Sequence, residues 1–175
     1  MPSAHGWALS ASGESEKGLA QIGQGLHSYG LGVNQHALLA LQADAQLTSG
    51  KPEAALASVA AGLKAVEKTG GAPLEAELYR LRGEALLAGA GTLSEAEAAM
   101  QQGIDAARRQ NAKSWELRCA MSLARLRQQQ GRPQEAAALL APILGWFTEG
   151  FDTADLKEAK ALLDKLTEPA VAAEG

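Results

Sequence analysis

Six positions of fixed spacing recur four times along this chain, and that recurrence limits the fold more than any other feature. After Gly131 they are Ala136, Leu139, Leu140, Ile143, Leu144 and Phe147, spaced i, i+3, i+4, i+7, i+8 and i+11 as one face of an α-helix requires. Forty residues earlier the same offsets carry Ala96, Ala99, Met100, Gly103, Ile104 and Ala107. A further 41 back they carry Ala55, Ser58, Val59, Gly62, Leu63 and Val66, and another 37 back Gly18, Gln21, Ile22, Gly25, Leu26 and Tyr29. The first column is always small, and the third and fifth are always large and apolar. One such unit cannot bury its apolar face alone, so a period near 40 residues implies a stacked array.

The fourth column reads Gly25, Gly62, Gly103 and then Ile143. Glycine within a helix costs about 1 kcal/mol relative to alanine, so its return at equivalent places implies close approach by a neighbouring helix. The last repeat has no successor, and there glycine gives way to isoleucine. Gly13, Gly50, Gly91 and Gly131 mark the turns inside each unit, and a second helical segment precedes each, with a small residue at Gly6, Ala43, Gly83 and Ala124. Each unit is therefore helix, turn, helix. The expected helices span 4–11, 14–29, 35–49, 52–68, 73–89, 93–110, 114–130 and 134–149. Pro52, Pro73 and Pro133 stand at helix starts, where a missing N–H is harmless, and Ser94 with Glu97 fits a capping box. A ninth helix over 153–167, N-capped by Asp152, carries Leu156, Ala159, Leu163 and Leu166 on one side and charges on the other. Three of the seven aromatics, Trp146, Phe147 and Phe151, precede it. Phe147 belongs to the repeat stripe, and Trp146 and Phe151 are expected to seat the ninth helix as a cap on the open end of the stack.

Composition agrees with an all-α chain, because alanine, leucine and glutamate lose little rotamer freedom in helices. The net charge of −4 provides no field for nucleic acid. No run reaches the roughly 18 apolar residues of a membrane span, and the start lacks a secretory leader. The lone Cys119 cannot form an internal disulfide, which suits the cytoplasm.

Helix pairs with small residues at two fixed places and a turn glycine resemble tetratricopeptide repeats, stretched beyond their usual length of about 34 residues. "EAELYRLRGEALL", "EAEAAMQQGIDAARRQNAKSWELRCAMSLARL" and "LLAPILGWFTEGFDTADLKEAKALLDKL" are similar to the C-terminal repeat region of large bacterial multidomain regulators. In those proteins a class III adenylate or guanylate cyclase domain, or a DNA-binding domain, precedes a signal-transduction ATPase module. The resemblance implies a right-handed α-solenoid of about four helical hairpins (1–30, 35–70, 73–110 and 114–149) plus the cap helix. These form one domain over 1–168, followed by a disordered tail at 169–175. The catalytic parts of such regulators have no counterpart here. The short first helix suggests an excised piece of a longer array, or an end covered by a partner or a second copy.

No phosphate loop, metal-ligand spacing or nucleophile–base pair emerges. Gly50-Lys51 resembles the end of a P-loop, but Pro52 stands where Ser or Thr is needed. His5, His27 and His36 lack partners at ligand spacing and read as surface or loop histidines. Cys119 reads as a buried, inert thiol. Neither enzymatic activity nor a cofactor is expected. The remaining signal is arginine: residues 80–132 hold Arg80, Arg82, Arg108, Arg109, Lys113, Arg118, Arg125, Arg127 and Arg132 against five acids. By the resemblance, the first helix of each pair lines a concave groove, which puts Asp44, Glu77, Arg80, Glu84, Arg118, Met121, Arg125, Gln128 and Gln129 on its wall. Such a wall suits a protein or peptide segment with acidic groups, because arginine forks carboxylates. The competing expectation is that these charges form intramolecular pairs on a solvated face. The functional expectation is thus a non-catalytic protein-binding scaffold, the sensor arm of a signalling ATPase or cyclase regulator. Self-association through the N-terminal repeat and sensing of a small ligand are the alternatives.

Overall fold

The computed structural model describes residue 20, residues 35–69 and residues 73–168. The expected first repeat, with His5, His27 and Gly25, and the tail at 169–175 lie outside them. Seven helices follow one another among the described residues, with no strand: α1 (Gln35–Thr48), α2 (Pro52–Thr69), α3 (Glu75–Ala88), α4 (Leu93–Arg109), α5 (Lys113–Gln129), α6 (Pro133–Leu144) and α7 (Ala154–Thr167). They pair as the hairpins α1/α2, α3/α4 and α5/α6, and α7 closes the stack.

The turns follow from local chemistry. At Gly50 (φ 69°) and Gly131 (φ 74°) the chain enters the left-handed region that glycine tolerates. Each forms a Schellman closure: the amide after the glycine reaches back five residues, Lys51 to Gln46 and Arg132 to Arg127, both at 2.9 Å. Asn111 (φ 53°) does the same between repeats, with Ala112 donating to the Ala107 carbonyl at 2.9 Å.

The glycine column has the packing reason its spacing implies. A Cβ on Gly62 would lie 2.7 Å from Leu78 Cδ2, and one on Gly103 would lie 2.8 Å from Cys119 Sγ and 3.0 Å from the Ala76 carbonyl oxygen. Leu78 and Cys119 belong to the first helix of the next repeat, whereas Ala76 belongs to the first helix of Gly103's own hairpin. At Ile143 the following helix is α7, which packs on α6, and the isoleucine is buried in the core that they share. Leu78, Leu81, Met100, Ile104, Leu117, Leu123 and Leu140 are the large side chains at the centre of the stack.

Four local expectations are corrected. The capping box belongs to Thr92 and Glu95, two residues before the expected pair: Glu95 N–H donates to Thr92 Oγ1 at 3.2 Å, and Thr92 N–H donates to Glu95 Oε2 at 2.9 Å. α7 starts after Thr153, not Asp152, and Thr153 Oγ1 donates to the Gly150 carbonyl at 2.7 Å rather than capping the helix. α6 ends at Leu144, five residues short of the expected end. Pro142 removes a helical hydrogen bond and Gly145 follows. The chain therefore leaves the helix before the aromatics, and Trp146 and Phe151 stay 58% and 56% exposed. Only Phe147 packs on the core. α7 is seated instead by Leu156, Ala159, Leu162 and Leu166, with Leu163 half-buried.

Candidate functional site

The layering of the helices decides which face is concave. α1 touches α3, α3 touches α5 and α5 touches α7, whereas no two of α2, α4 and α6 touch one another. The first helices of the hairpins are thus closely spaced along the inner side, and the second helices fan out behind them. The positions expected to line the groove lie on this inner layer.

Arg80 is buried, and its guanidinium is consumed internally. Nε and Nη2 donate to the two Glu77 carboxylate oxygens, both at 2.8 Å, and Nη1 donates to Glu84. Burial disfavours its charge, but the bonds and fields of Glu77 and Glu84 win and hold its pKa above the usual arginine value. α5 joins the same cluster: Arg118 Nη2 lies 3.3 Å from Glu77, and Ser122 Oγ donates to Glu84 Oε1 at 2.9 Å. Arg125 donates to Glu158 of α7 at 2.6 Å across two exposed side chains. Met121, expected on the groove wall, is a core residue. On α5 it lies about 100° around the helix from Ser122, on the side that packs into the core. Gln128 is half-buried and Gln129 exposed. Of the expected groove residues, Glu77, Arg80, Glu84 and Arg118 are brought into one network, Arg125 stands apart beside α7, and Met121 leaves the surface.

A pocket of about 120 Å³ opens on the inner face where α1, α3 and α5 meet. Ala37, Ala40 and Leu41 form its α1 wall, and Leu74 and Trp115 close its other apolar sides. Asp44, Glu77 and Arg118 supply the charge at its edge. The Arg118 guanidinium stacks over the Trp115 ring at 5.1 Å. Trp115 was missed at the sequence level because nothing in the stripe marks it. A tryptophan three positions before an arginine, hence on the same helical face, was the available signal.

Other titratable groups have structural roles. Burial resists ionisation of Glu116, yet bonds from Lys113 (2.7 Å) and Arg108 (2.8 Å) hold its pKa below the usual glutamate value. Glu97 is treated likewise by Arg132 and Arg127. Burial pushes the Cys119 thiol up to about 12, and Sγ contacts the Ala76 carbonyl at 3.4 Å; this is an unreactive thiol. His36 is buried, not on a surface, and burial lowers its pKa. Among the described residues no cluster of three metal-ligating side chains exists, and no helix is long and apolar enough to cross a membrane.

No protein-family model and no curated protein sequence matches the chain. Solved structures do. A kinesin light chain-like protein of Podosopora anserina with nearly identical TPR-like repeats superposes with TM-score 0.69 at 16% identity, covering 94% of this chain and 83% of that one. A point variant of it gives 0.70 at 16% identity, over 94% and 82%. The fold is a TPR-like helical solenoid. At this identity the likeness fixes the TPR-like architecture and leaves the ligand to be argued from the groove itself.

Proposed function

We propose that this TPR-like array is a non-catalytic protein-interaction scaffold that holds a segment of a partner protein along its concave face. The observation that carries the reading is the open pocket between α1, α3 and α5, on the layer formed by the first helices of the hairpins. Its volume of about 120 Å³ is well below the roughly 300–1,000 Å³ of small-molecule sites. That size suits a single side chain of a longer ligand better than a whole metabolite in this pocket. The inner face is preformed by packed helices, so recognition requires little ordering of the scaffold. The sequence resemblance to bacterial regulators supports a place for the array as the sensor arm of an ATPase or cyclase module.

A photo-crosslinking residue at Gln129, on the inner helix α5, should capture the partner from lysate, and one at Lys64 on the outer helix α2 should not. An Arg118→Gln/Arg125→Gln variant should lose that capture while keeping its circular dichroism. Crosslinks from Lys64 alone, or the same capture by the variant, would remove the concave-face assignment. Self-association through the first repeat concerns residues outside those described, and light scattering showing a strict monomer would end it.

A further inference from the structure

Resting on the concave-face reading, we propose that the pocket between α1, α3 and α5 receives one branched aliphatic side chain of an extended partner segment, and that Arg118 holds an acidic side chain two residues away in that segment. Size makes the first selection. An engineered apolar cavity of about 150 Å³ admits benzene, so about 120 Å³ accommodates a leucine or isoleucine side chain. The hole exists because α1 offers Ala37 and Ala40 where larger residues would fill it.

Charge makes the second. Arg118 keeps its side chain 34% exposed and meets Glu77 through one nitrogen at 3.3 Å. Guanidinium has five donors in a fork, and stacking on Trp115 at 5.1 Å holds the fork in a fixed plane. It can therefore take an incoming carboxylate without abandoning Glu77, which two bonds from Arg80 already secure. Asp44 and Glu77 line the same pocket from α1 and α3 and Arg118 lines it from α5, so an incoming carboxylate is held on the α5 side, at Arg118. In an extended chain residues i and i+2 share a face about 7 Å apart, which places the aliphatic and acidic anchors on one side.

Selection of a random-peptide phage library on the immobilised chain tests this. Enriched peptides should carry an aliphatic residue with Asp or Glu two positions away. Changing that aliphatic residue to alanine, or filling the pocket with Ala37→Phe, should weaken binding about tenfold or more. Arg118→Gln should weaken the acidic peptide but not its glutamine counterpart. If Ala37→Phe lowers the melting temperature markedly, Ala37→Leu is read in its place. Enriched peptides that lack the pair, or that bind Ala37→Phe equally well, overturn the pocket proposal; crosslinking of those peptides at Gln129 would still leave the concave-face reading standing. Absence of any enrichment overturns both. A dimer that Ala37→Phe dissociates makes a second copy the occupant and overturns the proposal as well.

Discussion

Gly103 shows how one missing methyl lets α4 lie close against both α3 and α5. A Cβ there meets the Ala76 carbonyl oxygen at 3.0 Å, and backbone does not step aside, whereas the nearest atom to a Cβ on Gly62 is the tip of Leu78. Gly103→Ala should therefore lose about 1–3 kcal/mol in urea denaturation despite alanine's better helix propensity, and Gly62→Ala should lose less. Arg80→Ala should be worse, about 3–5 kcal/mol, because it strips the buried Glu77 of its principal partner. At Gly62 and Gly103 the glycine column was legible in the sequence, since periodicity reports a position that must stay small. The fates of Arg80 and Arg118 were only half legible. Glu77 and Glu84 stand three and four residues from Arg80, a spacing that already foretells pairing on one helix. That Ser122 meets Glu84, or Arg125 meets Glu158, depends on how helices stack and has no local signature.

Helix ends separate what a repeat register can say from what the chain decides locally. The register located α4 but read its cap from Ser94, whereas Thr92 makes the reciprocal bonds with Glu95. Thr92→Ala should cost about 0.5–2 kcal/mol and Ser94→Ala much less, a contrast thermal unfolding can measure. At α6 the apolar stripe ran on through Phe147 and masked Pro142 and Gly145, which end the helix. Trp146 consequently lies on the surface, edge-on to Phe147 at 5.2 Å with the Lys113 ammonium 5.7 Å from its ring. Trp146→Ala should shift stability by under about 1 kcal/mol, while Phe147→Ala, which removes a core contact, should cost more. Equal losses would mean that the cap rests on both rings.

At the scale of the molecule, each described hairpin touches only its neighbours among the described residues, so stability is a sum of repeat and interface contributions. The interface between α4 and α5 is the acid-sensitive one, because Glu97 and Glu116 bridge it to Arg127 and Arg108. Their folded pKa values lie below the ordinary 4.5, so they contribute fully above that pH and progressively less as it falls through their folded values. His36, with its pKa lowered from 6.5 by burial, adds a shallower loss that begins as pH drops below 6.5. The melting temperature should thus decline gently below pH 6.5 and steeply below about 4.5, and Glu116→Gln should lower it at neutral pH while flattening the acid limb. The contact between successive inner helices, with none between successive outer ones, also gives the solenoid a mechanical character. Pulling its ends apart spreads the outer helices without separating any pair in contact there, so the array should stretch and recoil as a spring before any repeat unfolds.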